Sequence, residues 1–324
     1  MLFGVQMLVK CPEFRDQAAG DSPCRAVAPV ASFNITMPKA VISIIKGGLG
    51  NQLFIYSAGR AFALRTKREF YQDDRRGYTH DNYGRDYRLN RLPIEALPMP
   101  EEWRVAPTLK HLRHKAVRAF NKFLPMDWRS YLAQRGDLGP AQLTERKPCR
   151  ERVTLNGYWQ DEGYFRDFAD VIRRELEPPA PTDERNLALG RELAAENAVF
   201  IHARRVRYPV LLPADYYRKA IAGIREKVSD PSFVVFSDDQ GWTRENLDLS
   251  GDKVRWVEHN AQDEFADLWL MTRCRHAIIA NSSFSWWGSW LGGDPADGRI
   301  IYSPDHPDWM IRPAKGWQTI PFGI

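Results

Sequence analysis

The chain has 324 residues, of which 44% are hydrophobic and 27% are charged, and its 46 Lys and Arg residues exceed its 41 Asp and Glu residues by five. This composition is typical of a folded globular protein and excludes disordered, collagen-like and membrane-spanning classes. At about 100–200 residues per domain the length predicts two domains, and the small basic excess fits an anionic ligand without selecting one class of ligand.

The amino-terminal stretch over residues 1–38 is expected to be a poorly ordered extension. It alternates small, polar and Pro residues without a helical or strand period, and its apolar start lacks the preceding basic residues of a signal peptide. Met37 directly precedes the first predicted strand, so the sequence leaves open whether Met1 or Met37 is the natural start. The four cysteines form no Cys-x-x-Cys pair, which favours free thiols in a reducing cytoplasm.

The first convincing elements follow this stretch and are typical of an α/β unit. A β-branched run at Ala40–Ile45 predicts a buried strand, Lys46–Gly50 breaks it, and the apolar spacing that follows predicts a helix. Later in the chain, the Pro-rich stretch Glu177–Thr182 predicts an extended linker. We therefore expect one α/β domain over residues 39–180 and a second over residues 181–324.

In the second half, three predicted strands end in polar residues. Arg204 and Arg205 follow the predicted strand Val199–Ala203, and Ser237–Asp239 follow Phe233–Phe236. Asn281–Ser283 follow the third predicted strand, Ala277–Ala280. In open parallel sheets, ligands bind at the carboxyl ends of the strands. The sequence therefore predicts a ligand site at this edge of a second sheet.

Two of the polar motifs also have a purely structural interpretation. The turn Gly48–Gly50 could simply join strand to helix, with Asn51 and Gln52 acting as helix caps. Arg204 and Arg205 are adjacent, and neighbouring strand residues point to opposite faces, so at most one of them is expected to reach a ligand directly. An ion pair at the strand edge is the alternative for this pair.

The remaining motifs leave similar alternatives open. Asp238–Asp239 could cap the next helix, His202 could be a core histidine, and Trp286–Trp287 are more often core residues than platforms for a sugar. The chain has no Asp-x-Asp triplet and no His or Cys cluster with ligand spacing, so no bound metal is expected. Arginines, hydroxyls and carboxylates at three neighbouring strand ends together fit a nucleoside diphosphate, whose charge arginine or lysine must then neutralise.

Five sequence blocks in this order resemble the α-1,2-fucosyltransferases of glycosyltransferase family 11. The blocks are Gly47–Phe54, Gly157–Gln160, His202–Arg205, Phe236–Asp239 and Asp267–Gly288. The resemblance implies a GT-B type α/β fold, in which two Rossmann-like domains face each other across a cleft. It also implies inverting, metal-independent transfer of L-fucose from GDP-fucose, with no cofactor, to the 2-hydroxyl of an acceptor sugar, which we expect to be galactose in a glycan or O-antigen type oligosaccharide.

The resemblance also assigns roles to residues. Arg204 and Arg205 are implied to be catalytic, because they neutralise the diphosphate. The implied donor-binding residues are Gly48, Gly50, Asn51, Gln52, His202, Asp238, Asn281, Ser282 and Ser283. The chain departs from the family pattern after Arg205, where Val206 and Arg207 replace the usual Gly and Asp. This leaves the general base unassigned, with Asp73 and Asp215 as candidates.

Two other functions stay open because of this departure. The chain could transfer another sugar or form another linkage, or it could be a non-catalytic glycan- or nucleotide-binding homologue. The expected partners are GDP-fucose and an oligosaccharide or lipid-linked glycan, and no nucleic acid. We expect a cytoplasmic protein, and the basic stretch Lys110–Arg118 indicates weak peripheral contact with the inner face of the membrane, with a solvated helix face as the alternative.

Overall fold

A computed structural model provides the structure of this chain. It describes residues 38–79, 81–104, 119–121, 123–134, 138–206, 209–306 and 311–322. The predicted extension, apart from Pro38, lies outside the described residues. The basic stretch Lys110–Arg118 and Arg207, where the chain differs from the family pattern, also lie outside them. No helix in the described ranges has the length and apolar character needed to cross a bilayer.

Five parallel strands form the first sheet, in the order β3-β2-β1-β5-β4. They are β1 (Ala40–Ile44), β2 (Glu69–Asp73), β3 (Leu97–Pro98), β4 (Tyr131–Ala133) and β5 (Arg152–Asn156). The central strand β1 is buried along its whole length, as its β-branched sequence predicts for a parallel strand covered on both faces.

Helices cover this sheet and connect its strands. They are α1 (Leu49–Thr66), α2 (Pro140–Thr144) and α3 (Ala169–Glu175). Short 3-10 turns lie at Leu89–Arg91, Glu101–Trp103, Met126–Trp128, Glu162–Tyr164 and Arg166–Phe168. Helix α1 ends where Lys67 adopts a left-handed conformation with a φ of 53°. The predicted linker contains neither helix nor strand.

Six parallel strands form the second sheet, in the order β11-β10-β9-β6-β7-β8. They are β6 (Ala198–Ala203), β7 (Ser232–Ser237), β8 (Lys253–Val257), β9 (His276–Ile278), β10 (Ile301–Asp305) and β11 (Gln318–Pro321). The accompanying helices are α4 (Glu184–Ala195), α5 (Ala214–Lys227), α6 (Gln240–Asn246), α7 (Glu264–Arg273) and α8 (Ser283–Leu291), with a 3-10 turn at Pro295–Asp297.

The two halves share one apolar core, in which α1 packs against α8. The ring of Phe54 lies 4.6 Å from that of Trp286 and 4.9 Å from that of Trp287, and Phe165 stacks on Trp287 at 5.5 Å. Both tryptophans are buried, which favours the core interpretation over a sugar platform. The structure thus confirms an α/β protein with two parallel sheets, while the boundary between residues 180 and 181 stays a prediction.

Candidate functional site

Two helix amino termini meet at the centre of the site. Helix α1 follows the glycine turn, Lys46–Gly50, and helix α8 follows the serine turn, Asn281–Ser283. A Cβ built on Gly50 would lie 2.5 Å from main-chain atoms of Ser283 and Phe284. Glycine is therefore required at position 50, and it allows the partial positive charges of both helix termini to converge.

The glycine turn has an open face beside this contact. Gly47 has a φ of 78°, a conformation that favours glycine. Gly48 is the N-cap of α1, and a Cβ built on it would meet no atom within 4 Å. The backbone of Gly48 therefore borders open space, where an anionic ligand can approach the amino terminus of α1.

Gln52 supports the glycine turn from inside. Its side chain is fully buried, and its Nε2 donates to the carbonyls of Gly47 and Asp86 at 2.9 and 2.8 Å. Its Oε1 accepts from the amide of Arg88 at 2.9 Å. These bonds occupy both N–H groups of the amide, so Gln52 supports the turn, and its contact with the sugar nucleotide stays a prediction.

Asn51 lies at the border between the two halves. Its Oδ1 accepts a hydrogen bond from Nε2 of Gln160 at 2.8 Å. The carbonyl of Gln160 in turn accepts from the amide of Arg312 at 3.2 Å. The segment after β5 therefore orients the Asn51 amide and connects the glycine turn to the second half of the chain.

Asp238, directly after β7, holds the loop that follows β6. Its Oδ1 accepts from the amide of Arg205 at 2.7 Å, and its Oδ2 accepts from the amide of Val206 at 3.1 Å. The same Oδ2 lies 3.0 Å from the Arg204 guanidinium. Because its oxygens are engaged in this way, Asp238 acts on the arginine loop, Arg204–Val206, and the expected contact with the nucleoside has no support in this arrangement.

The two adjacent arginines have different surroundings. The Arg205 guanidinium lies 3.7 Å from the centre of the Trp242 ring and donates to the carbonyl of Leu212 at 2.7 Å. The Arg204 side chain keeps 43% of its surface exposed. Arg204 is therefore the better placed of the two to meet a ligand, and Arg205 fixes the loop. Sequence analysis did not single out Trp242, although its place in the first turn of α6, after Asp239, was an available signal.

His202 is buried at the end of β6. Burial and then the charge of Arg204 lower its pKa to about 3, so the imidazole is neutral near pH 7. Its ring centre lies 5.9 Å from that of Phe284, next to the contact of the helix termini. Within the described part of the chain, its Nδ1 has no hydrogen-bond partner, which leaves a group that a ligand in this region can satisfy.

The first two residues of the serine turn form hydrogen bonds within the fold. The amide of Asn281 donates from Nδ2 to the carbonyl of Val210 at 3.0 Å, and Oγ of Ser282 accepts from the amide of Phe284 at 3.3 Å. Both residues are buried, whereas Ser283 is partly exposed beside Gly50. Ser283 is therefore the hydroxyl of this turn that a ligand can reach.

The two candidates for the general base lie in different environments. Asp215 is exposed on α5 with its carboxylate 2.7 Å from Nζ of Lys219, and this hydrogen bond lowers the pKa of Asp215. Asp73 is buried, and its Oδ1 accepts from the amide of Arg76 at 3.1 Å. A base that takes a proton from a hydroxyl works best with a pKa near the working pH, and the lowered pKa of Asp215 moves it away from that range. The assignment of Asp73 stays a prediction.

A polar pocket of about 270 Å³ lies at the carboxyl end of β8 and was not foreseen from the sequence. Its lining includes Asp183, Asn186, His259, Asn260, Gln262 and Asp263. Nδ2 of Asn260 donates to Asp267 at 3.0 Å, and burial raises the pKa of Asp267 to about 7. The sequence feature that could have indicated this pocket is Asp267, which is the first residue of the longest sequence block. Throughout the described ranges, no group of three or more His, Cys, Asp or Glu side chains could hold a metal ion.

Comparison with known proteins gives matches over most of the chain. The model of glycosyl transferase family 11 matches residues 40–308. An alpha-1,2-colitosyltransferase of Escherichia coli is 30% identical over 265 residues, covering 78% of this chain and 87% of that protein. A galactoside alpha-(1,2)-fucosyltransferase 1 of Saimiri boliviensis boliviensis is 30% identical over 158 residues, covering 44% of this chain and 43% of that protein. Among solved structures, Arabidopsis thaliana FUT1 in complex with GDP is 16% identical, covers 83% of this chain and 71% of that one, and gives a TM-score of 0.48.

Proposed function

The chain belongs to glycosyltransferase family 11 and is a glycosyltransferase, and on this premise we propose that it transfers L-fucose from GDP-fucose to the 2-hydroxyl of an acceptor sugar. The acceptor sugar is galactose in a glycan or O-antigen type oligosaccharide, and the transfer inverts the anomeric carbon without a metal ion. The observation that carries the proposal is the contact between the amino termini of α1 and α8, with Ser283 beside Gly50. Arg204 follows β6, the strand that pairs with β9, which precedes α8.

This arrangement suits a diphosphate that leaves with its negative charge. The amino termini of α1 and α8 supply backbone amides and partial positive charge, and Ser283 supplies a hydroxyl. The planar guanidinium of Arg204 can bind phosphate oxygens with two hydrogen bonds. Such groups stabilise the charge that develops as the glycosidic bond breaks.

Inversion follows from a single displacement. The acceptor oxygen forms the new bond to the anomeric carbon, the bond to the diphosphate oxygen breaks with its electron pair going to GDP, and the acceptor proton goes to a base or to water. The acceptor must then approach from the side opposite the diphosphate. The amide of Asn51, oriented by Gln160, lies on the first half of the chain, where such an approach is possible.

Transfer from GDP-fucose to a β-galactoside, measured in the presence of EDTA, tests the proposal. We expect Arg204→Gln to lower kcat/KM by about 100-fold or more, since it removes one preorganised group that stabilises the leaving diphosphate. Arg205→Ala should also impair transfer, because its guanidinium holds the loop against Trp242. The control is Arg191→Gln, an exposed arginine of α4 that pairs with Glu184. Full activity of Arg204→Gln, or loss of transfer with EDTA that a divalent ion restores, would contradict the proposal.

A second donor deserves a direct comparison, because the Escherichia coli relative is an alpha-1,2-colitosyltransferase. Colitose is fucose without its 3-hydroxyl, and a site built to bind a hydroxyl rejects an analogue that lacks it far more strongly than the reverse. Measuring kcat/KM for GDP-fucose, GDP-colitose and GDP-mannose on one acceptor decides between these donors. Donor binding without transfer to any member of a broad acceptor array would instead favour a non-catalytic homologue.

The proposal includes a cytoplasmic location and, with a lipid-linked acceptor, weak contact with the inner membrane face. The basis is the basic composition of Lys110–Arg118, which can attract anionic lipid. Co-sedimentation with anionic vesicles but not with neutral vesicles is the expected result. Equal binding to both kinds of vesicle would contradict an electrostatic contact.

A further inference from the structure

Two cations stand without a carboxylate partner at the carboxyl edge of the first sheet. Lys46 begins the glycine turn two residues after the end of β1, and Arg76 lies in the turn after β2. Among the residues that the structure describes, neither Lys46 nor Arg76 lies within salt-bridge distance of an acidic side chain. The nearest acidic residues of this edge are Asp73 and Asp74, and the Arg104 guanidinium approaches them to 3.6 and 2.9 Å.

Lys46 is held in place by neutral groups. Its Nζ donates to Oδ1 of Asn156 at 2.8 Å and lies 4.8 Å from the centre of the Tyr158 ring. Nδ2 of Asn156 donates to the Tyr131 hydroxyl at 2.5 Å. These contacts orient the ammonium group without neutralising its charge, and among the described residues only one of its three N–H groups donates a hydrogen bond.

Arg76 lies near Tyr131, which is hydrogen-bonded to the Asn156 that holds Lys46. Its guanidinium is 5.8 Å from the centre of the Tyr131 ring, and its backbone amide donates to Asp73 at 3.1 Å. The next residue, Gly77, packs so closely that a Cβ built on it would lie 1.9 Å from the carbonyl of Ile45 and 2.6 Å from Cβ of Lys46. The turn after β2 therefore rests on Lys46, and the two cations belong to one surface.

Burial supports an anionic ligand for this surface. Desolvation lowers the pKa of Lys46, so the fold makes the charged ammonium less favourable than it is in water. A charge that is partly removed from water is normally compensated by a partner. A bound anion would supply that partner and would stabilise the charged form.

The position of this surface relates it to the acceptor side of the site. Lys46 is the first residue of the glycine turn, and Tyr158 lies two residues before Gln160, which hydrogen-bonds to Asn51. An anion at Lys46 would therefore lie on the first half of the chain, beside the open face of Gly48.

We propose that Lys46 and Arg76 form a subsite for an anionic group carried by the acceptor glycan, with Asn156 orienting Lys46 and with Tyr158 beside the sugar. This inference rests on the proposed function, because it names the substrate class of the same site. The shared ligand chemistry is a carboxylate or a phosphate on the sugar next to the accepting galactose. Lys46 and Arg76 thus act in acceptor recognition. The diphosphate of the donor binds instead to the amino termini of α1 and α8, to Ser283 and to Arg204.

The test uses matched acceptors that differ only in charge. Their galactose is linked to neutral glucose, to glucuronic acid or to glucose 6-phosphate, so that the last two arms distinguish a carboxylate from a phosphate. We expect one of the two charged acceptors to exceed the neutral one in kcat/KM by about 10-fold, mainly through KM, since a charge-assisted hydrogen bond has this effect. Lys46→Gln and Arg76→Gln should each reduce that ratio to near unity, while Lys147→Gln, at an exposed lysine outside the site, should retain it.

A binding measurement without donor separates this inference from the proposed function. Calorimetry with each acceptor should give tighter binding of one charged acceptor, and salt raised from about 50 to 500 mM should weaken that preference. If no donor supports transfer but the charged acceptor still binds through Lys46, the proposed function fails and the subsite stands. Equal binding of charged and neutral acceptors, or a preference that Lys46→Gln leaves unchanged, would overturn the subsite.

Discussion

At the scale of single residues, Asp238 positions the backbone of the loop that follows the neighbouring strand β6. Its carboxylate accepts the backbone amides of Arg205 and Val206 and pairs with Arg204, so one side chain after β7 sets the loop after β6. Arg204 then faces the site half exposed, and Arg205 is fixed on Trp242. Two arginines that look equivalent in the sequence therefore have different tasks, because the loop bends directly after the strand.

Removal of this carboxylate should release the arginine loop. We expect Asp238→Ala to weaken GDP binding by about 10-fold, since two backbone amides and one guanidinium lose their acceptor. Asp238→Asn should lie between this variant and the wild type, because it keeps one acceptor oxygen and loses the charge. Calorimetric titration with GDP measures the effect, and unchanged affinity in Asp238→Ala would show that the loop keeps its position without this residue.

At the scale of elements, the contact between the first turns of α1 and α8 depends on the absence of a side chain. Position 50 touches the backbone of α8, whereas position 48, two residues earlier, borders open space. The same turn thus contains one glycine required by packing and one that leaves room for a ligand. The distinction arises only when both helices are in place.

Substitution of these two glycines separates the two requirements. Gly50→Ala should destabilise the protein by about 1–3 kcal/mol, because overpacking against backbone atoms cannot be relieved by a rotamer change. Gly48→Ala is the matched control and should change the free energy of unfolding by less than about 0.5 kcal/mol. Urea unfolding of both variants measures this difference, and equal stability of the two would contradict the close contact of the helices.

Helix α7 carries the second element-scale prediction, through Asp267. Its folded pKa is about 7 against an ordinary value of 3.8. Between these two pH values the folded protein binds more protons than the unfolded one, so this residue makes the free energy of unfolding fall as pH rises. The raised value reflects burial first, is opposed by the hydrogen bond from Asn260, and is increased by the charges of Asp263 and Glu264.

Asp267→Asn should remove that dependence. The variant should gain stability relative to the wild type near pH 8 and should show a smaller gain near pH 5, where the wild-type carboxyl is already protonated. Thermal unfolding at both pH values measures the two differences, with the exposed Glu177→Gln as a control that should show the same small difference at each pH. A gain that does not grow with pH would contradict the raised pKa.

At the scale of the whole molecule, the two sheets are joined by an aromatic seam. Phe54 and Phe165 of the first half pack against Trp286 and Trp287 of the second. The apolar core runs through this seam from one sheet to the other, and residues 37–324 group into one compact unit. We therefore expect the halves to unfold together.

Calorimetry of Trp287→Ala tests this coupling. Loss of a large buried aromatic side chain should reduce the free energy of unfolding by about 3–5 kcal/mol. The wild type and the variant should each show a single unfolding transition in which both sheets unfold. Trp256→Ala, at a partly exposed position of β8, is the matched control and should have a smaller effect. Two separate wild-type transitions, of which Trp287→Ala shifts only one, would contradict a shared core.

The sequence by itself determined the α/β class, the parallel strands and the positions of the polar motifs. This was possible because a buried parallel strand such as β1 has a nearly continuous apolar sequence and because glycine and polar residues mark its end. The resemblance to family 11, carried by short ordered blocks, identified the family that the comparison confirms.

Only the tertiary structure decided what each motif residue does. It assigned Gln52 to support of the glycine turn and Asp238 to the arginine loop, and it separated the packed Gly50 from the open Gly48. It also brought together Lys46 and Arg76, which follow different strands. The physical reason is that the hydrogen bonds, burial and spacing of a side chain depend on partners far away in the sequence, and a local pattern contains no information about those partners.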